Sequence, residues 1–531
     1  MRTLSLPKPI GRTLVLGDPV VALGTDALIP DGALVVEGDT IAASGRRAEL
    51  EALGPFDEVL GSAGHFVTPG FVNCHYHSEL AIGPGLYQFI FERANVFIQG
   101  AVGTIEEDDL HAGILWGLVM ALKGGQTATV DMYYGRPGMA DFGCAAALQA
   151  YDDIGMRTAF GLVSRDQNIY VHEPNEDFLA RLPRDLADEV RGSPVGYAWP
   201  IDDVMGTFER LVAGWHGRDD RIRIVTAPDW TPACSDDLYR LCRRAADEHG
   251  TSMITHALET RSEMMFNIER YGKTALQRLA DIGVLTPETV LEHFVWVTDD
   301  EVEIFADSGA VASNNPGSNL RLSSGVCRVS DLMDAGGRIA FGTDGISFSD
   351  REDFFEELRL ACYLQRRPKV FERQRLDSEQ VLRAAAANGA QAVGLQDKLG
   401  SLERGRYADL LIVKKDRIMF PPGRYDSEPF LDVVLDRTHA EDIDSVMVHG
   451  RVLMRDGRVT IVEEHQVKDR FAEAVQRIYR IPDEVARWAE LGRLLDPFVI
   501  DFYQRWYDEP VEPAYGYNVG ASPGPSRGGT A

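Results

Sequence analysis

The residues best suited to chemistry lie close together in the stretch 68–79, which reads TPGFVNCHYHSE. His75 and His77 follow a run of apolar residues that is typical of a buried strand. Because side chains alternate along a strand, the two imidazoles should point the same way at its end. Two neighbouring imidazoles can bind one metal ion, although the same spacing also fits two hydrogen-bonded core histidines.

The elements that must position these histidines are predicted from a regular alternation along the chain. Helical patterns separate short apolar or β-branched segments, which are 71–77, 128–135, 157–164, 223–230, 252–259, 289–297, 310–316 and 338–345. Alternating strands and helices indicate parallel βαβ units, and eight of them predict an α/β fold with a (β/α)8 TIM-like barrel. Most of these segments end in a polar residue, as expected for an active site at the carboxyl ends of barrel strands.

Further metal-ligating side chains lie at the ends of later segments. His256 lies in the fifth segment, His293 in the sixth, and Asp344 near the end of the eighth, within GTDG. Together with the two histidines of the first segment, they would surround a single mouth of the barrel. This set suits one divalent metal ion per chain, either Zn or Fe. Each residue alone has an ordinary alternative, a structural histidine or a turn aspartate.

A carboxylate follows the fifth segment at a useful distance. Glu259 lies three residues after His256 in the sequence HALE. A metal-activated water needs a base to accept its proton, and a leaving group needs an acid to supply one. Glu259 is therefore either a proton shuttle beside the metal or a solvated carboxylate at the start of a helix.

Both ends of the chain are β-rich and differ in texture from the middle. Residues 1–67 and 397–465 carry short strand-like segments with turn signals, so we expect one composite β-sandwich domain. The barrel would then occupy residues 68–396. Amphipathic patterns in 466–518 predict a helical extension that packs on the barrel or on a partner subunit. The Gly/Pro/Ser-rich tail 519–531 is predicted to be disordered.

Composition limits the classes of partner and the compartment. The 531 residues carry a formal net charge of -28, which disfavours nucleic acids and anionic membranes as partners. No apolar run approaches the roughly 20 residues that span a bilayer, and the first residues lack the pattern of a signal peptide. The six cysteines are scattered without a C-x-x-C pair, which argues against a disulfide framework. We expect a cytoplasmic protein with a small-molecule substrate, and the aromatic C-terminal helices favour a homodimer or higher homo-oligomer.

Several blocks of the sequence, taken in order, resemble the amidohydrolase superfamily, in its metal-dependent deaminase and chlorohydrolase branch. That branch includes S-adenosylhomocysteine and guanine deaminases and s-triazine hydrolases. The blocks are PGFVNCHYH, GGQTATVDMYY, THALET, LEHFVWVTDDE, NPGSNLRLSSG, FGTDG and GSLERGRYADLLIV. The similarity runs from about residue 30 to about residue 460 and so covers most of the chain.

The resemblance implies a role for each candidate residue. Those matching His75, His77, His256 and Asp344 bind the metal in the family. Those matching Glu259 and His293 carry protons or polarise the attacking water. Many amidohydrolases bridge two metals with a carboxylated lysine on the fourth strand, but here no lysine occurs between residues 123 and 273, which include that strand. A mononuclear site is therefore expected.

The sequence departs from its relatives where the substrate should bind. The fourth strand of purine deaminases commonly ends in a histidine, whereas this chain has Asp229 and Trp230. The loop after the first strand is rich in aromatic residues, which suggests either a packed lid or dimer contact, or an apolar wall for a flat ring. These departures make a standard purine-nucleoside deaminase a less favoured expectation. We expect Tyr87, Asp229, Trp230 and Asn319 to contact the substrate.

Taken together, these features predict a hydrolase that displaces an amino group from an sp2 carbon of a small nitrogen heterocycle. Metal-bound hydroxide would attack the carbon, with Asp344 and His293 activating or orienting the water. Glu259 would protonate a ring nitrogen and pass a proton to the leaving group. The alternatives are hydrolysis of an amide, urea or lactam, or of a C–Cl, C–S or C–NHR bond. An inactive scaffold is disfavoured because all ligands and both proton carriers are present.

Overall fold

Each of the eight segments predicted as strands overlaps a strand. The computed structural model describes residues 6, 9, 11–82, 91–93, 105–135, 142–193, 196, 198–346, 351–366, 376–479 and 483–507. The fourth segment contains two short strands, Ile222–Ile224 and Ala227–Pro228. The other seven segments have one strand each: Phe71–Tyr76, Gln126–Tyr133, Arg157–Ser164, Met253–Ala257, Thr289–His293, Val311–Asn314 and Arg338–Phe341.

These strands form two parallel sheets, one from the first four segments and one from the last four. Isolated parallel bridges join the edges of the two sheets: Tyr76 with Asp344 on one side, and Thr226 with Met253 and Trp230 with His256 on the other. The Asp344 amide donates to the His75 carbonyl at 2.9 Å, so the first and last strands meet directly beside the candidate site.

The parallel strands have an apolar cluster on each face. Val290 belongs to the inner cluster, with Val72, Val130 and Ile254, while its neighbour Leu291 belongs to the outer cluster against the helices. Alternation along a strand produces this division, because successive side chains point to opposite faces. Burial on both faces explains why the strands read as continuous apolar runs.

Helices cover the outer faces of the strands, and their ends are defined by local signals. Helix Asp236–Glu248 begins after Ser235, whose hydroxyl accepts a hydrogen bond from the Leu238 amide. Its buried residues Leu238, Cys242 and Ala246 repeat every four positions and form one face. The other helices of this region are Glu107–Lys123, Gly143–Ile154, Asn175–Leu179, Arg184–Arg191, Ile201–Trp215, Arg261–Tyr271, Ala275–Asp281, Asp299–Ser308, Pro316–Arg321, Val329–Asp334, Phe354–Leu364, Ser378–Arg383 and Gly389–Ala392.

Two further sheets are present: one is formed by the first part of the chain, and the other combines strands from both ends. The four-stranded sheet contains Arg12–Gly17, Gly32–Glu37, Thr40–Arg46 and Glu58–Gly61. The seven-stranded sheet contains Val20–Val21, Leu28–Ile29, His65–Pro69, Leu410–Lys414, Ile443–Val448, Arg451–Arg455 and Arg458–Val459. Strand His65–Pro69 pairs antiparallel with Leu410–Lys414, so the predicted division after residue 67 falls inside a strand. Val15 and Leu34 of the first sheet share an apolar cluster with Ile412 and Met447 of the second.

Two helices follow the last strand and pack on the chain's own surface. Helix Glu464–Tyr479 lies along Glu107–Lys123, where Phe471 stacks on Trp116 with ring centroids 6.2 Å apart. Helix Asp483–Tyr507 joins an apolar cluster with residues that follow the third strand. The predicted disordered tail, 519–531, lies outside the described residues. Of the helices described, none has both the length and the apolar character that a membrane span requires.

Candidate metal centre

The candidate metal ligands come together at the carboxyl ends of the parallel strands. His75 Nε2 lies 3.1 Å from Asp344 Oδ1, and His77 Nε2 lies 3.3 Å from the same oxygen. His256 Nε2 lies 3.3 Å from His77 Nε2. Donor atoms around a tetrahedral zinc ion with bonds of about 2.0–2.1 Å are about 3.3 Å apart. The donor atoms of His75, His77 and His256 lie within 4.8 Å of one another, and so do those of His75, His293 and Asp344, so these buried side chains could hold a divalent ion.

The outer nitrogens of two imidazoles are held by backbone carbonyls. His77 Nδ1 donates to the Met132 carbonyl at 2.6 Å, and His256 Nδ1 donates to the Asp229 carbonyl at 2.9 Å. Since Nδ1 carries the proton in both rings, each Nε2 presents its lone pair to the centre. Burial lowers the pKa of His75 and of His77 to about 3, so both rings are neutral and able to bind a metal.

The carboxylate at the centre is ionised. Burial by itself would raise the pKa of Asp344, but the imidazoles of His75 and His77 hold it below its usual value. Ser318 Oγ donates to Asp344 Oδ2 at 2.5 Å, which leaves Oδ1 facing the two imidazoles. One carboxylate oxygen is thus held by the protein, and the other is available to a cation.

Two of the site residues have a left-handed backbone. The φ angles are +69° at His293 and +66° at Asp344. Such a conformation costs a non-glycine residue about 1–3 kcal/mol and occurs preferentially at functional sites. Backbone hydrogen bonds hold it here: the Asp344 amide donates to the His75 carbonyl, and the Phe294 amide donates to the Ala257 carbonyl at 3.1 Å.

Glu259 lies beside the ligands and is completely buried. Its Oε1 is 4.0 Å from His293 Nε2 and accepts a hydrogen bond from Ser324 Oγ at 3.3 Å. Burial raises the pKa of Glu259 well above its usual value, and the carboxylate of Asp344 raises it further. The raised pKa favours the protonated acid, which is the form that can donate a proton.

Asn319 contacts His293, one of the predicted catalytic residues. The Asn319 side-chain oxygen lies 2.9 Å from His293 Nδ1. With this oxygen as acceptor, Nδ1 carries the proton and Nε2 is the acceptor that faces Glu259. Burial lowers the pKa of His293 to about 4, so the ring is neutral. Asn319, predicted as a substrate contact, is placed to fix the tautomer of this histidine.

Asp229, also predicted as a substrate contact, is engaged by protein groups. Arg165 Nη2 lies 2.7 Å from its Oδ2, and Tyr134 Oη donates to its Oδ1 at 2.8 Å. Its Oδ1 also lies 3.3 Å from His256 Nδ1. Burial would raise the pKa of Asp229, but Arg165 lowers it, so the group is ionised. Of the other predicted contacts, Trp230 packs edge-on against Phe91, and Tyr87 lies outside the described residues.

The sequence analysis missed several residues that surround the centre. Glu292 is fully buried and its Oε2 lies 3.4 Å from His75 Nδ1. A charged residue inside an apolar strand was the signal that could have identified it. Ser318, Arg165 and Tyr134 carry no such signal, because they reach the site from the helix Pro316–Arg321 and from the ends of two separate strands.

Solved structures share this fold. An adenosine deaminase from Xanthomonas campestris with bound zinc has a TM-score of 0.75 at 22% identity, over 90% of this chain and 100% of that chain. An atrazine chlorohydrolase from Arthrobacter aurescens TC1, complexed with zinc, has a TM-score of 0.73 at 22% identity, over 87% and 100%. At this level of identity, the comparisons define the fold.

The family follows from the sequence comparison. The model described as "Amidohydrolase family" matches residues 66–453, so the chain belongs to the amidohydrolase family. This confirms the predicted family and the predicted hydrolase class. A 5'-deoxyadenosine deaminase from Methanosarcina mazei is 27% identical over 455 residues, covering 85% of this chain and 94% of the relative. A 5-methylthioadenosine/S-adenosylhomocysteine deaminase from Pyrococcus abyssi is 26% identical over 470 residues, covering 87% and 99%.

Proposed function

We propose that the protein is a metal-dependent deaminase that hydrolyses the amino group of a small nitrogen heterocycle. The observation that carries this proposal is the fully buried carboxyl group of Glu259, 4.0 Å from His293 and close to the His/Asp cluster, with its pKa raised by burial. Deamination of a heterocycle requires an activated water and an acid for the ring nitrogen, and this arrangement supplies a place for both.

The architecture we propose is a closed (β/α)8 barrel at 68–396 with a composite β-sandwich from 1–67 and 397–465. Parallel bridges at both pairs of sheet edges support closure of the barrel. The apolar cluster that both terminal sheets share supports the sandwich. A barrel of this type has its active site at the carboxyl ends of the strands, where the ligand cluster lies.

In this proposal His75, His77, His256 and Asp344 hold one divalent ion. Their donor separations and the lowered pKa values of His75 and His77 support the assignment. A divalent ion would supply Lewis acidity, which lowers the pKa of water towards about 7. Zinc is preferred over iron because the two fold neighbours described above carry zinc.

The protein's own groups would then move the protons. Glu259 donates its proton to a ring nitrogen, which makes the neighbouring carbon electrophilic. His293 Nε2 accepts a hydrogen bond from the attacking water, and Asp344 accepts a proton from it. Water oxygen adds to the carbon and the C–N bond breaks. One proton of the water restores Glu259 and the other leaves with ammonia.

The substrate class is proposed from the relatives. Those at 26–27% identity are named for deamination of 5'-deoxyadenosine, 5-methylthioadenosine or S-adenosylhomocysteine, which favours an adenine-type ring. The fold neighbour named as a chlorohydrolase keeps chloride displacement as the second candidate. The oligomeric state stays a prediction.

The test is release of ammonia from a panel of amino-substituted purines, pyrimidines and triazines by zinc-loaded and iron-loaded protein. Glu259→Gln keeps the size of the side chain but removes the acid, and should lower the rate by about 10²–10⁴-fold while metal content is unchanged. Chloro-substituted analogues in the same panel identify the second candidate. A metal-loaded protein that releases no ammonia from any compound would refute the deaminase proposal, and an unaffected Glu259→Gln rate would remove Glu259 from the mechanism.

A further inference from the structure

The long C-terminal helix, Asp483–Tyr507, lies beyond residues 66–453, the range that the family model matches. Its buried face includes Leu495, Val499 and Phe502, which join one apolar cluster with Val171 and Phe266. Val171 follows the third parallel strand and Phe266 lies on the helix after Glu259. The helix is therefore docked on the side of the molecule that carries the candidate site.

This helix binds the segment 91–93, which follows the first parallel strand. Both guanidinium nitrogens Nε and Nη2 of Arg93 donate to the carboxylate of Asp496 at 2.7 Å, in a bidentate pair. The buried carboxylate of Glu92 accepts from Tyr507 Oη at 2.5 Å and from Ser262 Oγ at 2.7 Å. Two consecutive side chains of the segment are thus held through the C-terminal helix.

The residue before them, Phe91, contacts two parts of the chain that flank the candidate site. Its amide donates to the Leu322 carbonyl at 3.2 Å, two residues from Ser324, the hydrogen-bond partner of Glu259. Its half-buried ring lies 5.0 Å from the ring of Trp230, edge-on. Trp230 forms a parallel bridge with His256. Phe91 therefore connects the Glu259 side of the mouth to the His256 side.

The same helix also supports Trp230 from behind. The ring of His172 contacts Trp230 edge-on, with centroids 4.7 Å apart, and its Nδ1 lies 2.8 Å from Tyr503 Oη. Trp506 also contacts His172, with centroids 5.7 Å apart. The helix Asp483–Tyr507 thus supports Trp230 through His172, and it holds Phe91 through the neighbouring residues Glu92 and Arg93.

We propose that the C-terminal helix is a positioning element of the active site, and that it holds Phe91 and Trp230 as an apolar wall for the flat or apolar part of the substrate. The proposal rests on the proposed function, since it assigns the substrate side of that site. An edge-to-face aromatic pair offers a rigid apolar surface, and such surfaces line most small-molecule sites. Asp496 and Tyr507 are positioning residues, because they act through Phe91.

Asp496→Asn tests the proposal, because it removes the charge of the Arg93 pair and keeps the side-chain shape. KM should rise about fivefold, the loss expected for a partly buried ion pair, while kcat stays within about twofold. Amide hydrogen exchange in the peptide that contains residues 91–93 should become faster. The double variant that exchanges the two residues, Arg93→Asp with Asp496→Arg, should reverse part of the rise in KM that each single change causes.

The matched control is Glu189→Gln, which weakens the bidentate pair between Glu189 and Arg487 on the same helix but does not reach Phe91. It should leave KM and exchange at 91–93 unchanged. If Asp496→Asn leaves both measurements unchanged, or speeds exchange without raising KM, the positioning role is refuted. A wild-type protein that is inactive on the whole panel would refute the proposed function. Hydrogen exchange needs no substrate, so it would still test whether the helix holds residues 91–93.

Discussion

The variant Asp229→Asn tests whether Asp229 contacts the substrate, as the sequence analysis predicted, or positions His256. In the structure its carboxylate contacts Arg165, Tyr134 and His256 Nδ1. Asparagine keeps one acceptor oxygen but loses the negative charge. The change should therefore disturb the orientation of His256, a proposed metal ligand, and it leaves the Arg165 guanidinium without its ionic partner.

The expected losses of metal affinity and of stability have different physical origins. Removing a group that orients a metal-bound histidine typically lowers metal affinity by about 10–100-fold. The side chains of Arg165 and Asp229 are 9% and 3% exposed, so the broken pair is a buried one. Breaking a buried pair costs about 3–5 kcal/mol, and the amide oxygen that remains places the expected loss of unfolding free energy near 3 kcal/mol.

Two measurements check this prediction: chelator competition for zinc affinity at pH 7, and urea unfolding of the metal-free protein. Asp152→Asn is the control, because Asp152 pairs at 2.6 Å with the fully buried Arg221 and contacts none of the candidate ligands. It should lower stability but leave metal affinity unchanged. Wild-type metal affinity together with an increased KM in Asp229→Asn would contradict the positioning role and restore Asp229 as a substrate contact.

Two further predictions concern the metal and the packing. His256→Ala should lose the metal and all activity, measured by metal analysis after dialysis, and full metal occupancy in an active variant would refute the ligand set. Gly124→Ala should destabilise the protein by about 3 kcal/mol, because an added Cβ would overlap the Glu352 carbonyl. Gly214 lies in a helix, and an added Cβ there would have no atom within 4 Å. Gly214→Ala should therefore stabilise the protein by about 0.5–1 kcal/mol. Urea unfolding measures both glycine variants, and equal effects would contradict the packing argument.

Local patterns were sufficient to predict the strands and some of the candidate ligands. The eight strand segments are visible in sequence because a buried parallel strand needs a short apolar run between helical patterns. His256 was predictable to face the centre, since it has the same parity along its strand as Ile254 of the inner cluster. Residue type and strand position were enough at this ligand.

Alternation fails at other site residues. Leu291 belongs to the outer cluster, so strict alternation would turn His293 outward as well, yet the left-handed backbone at His293 brings its ring to Glu259. Pairing of the first strand shifts register between Asn73 and Tyr76, which alters the direction of His75. A backbone conformation that costs energy is imposed by surrounding contacts, and no local pattern announces it.

The sequence by itself determined which residue types are available for a metal and for proton transfer, and that they follow strands of one repeating βα unit. Only the tertiary structure decided the partners of those residues: Asn319 for His293, Ser318 for Asp344, and Arg165 with Tyr134 for Asp229. It also decided that the C-terminal helix docks beside the site. Periodicity depends on neighbours in the chain, whereas these contacts depend on side chains that meet only when distant segments pack together.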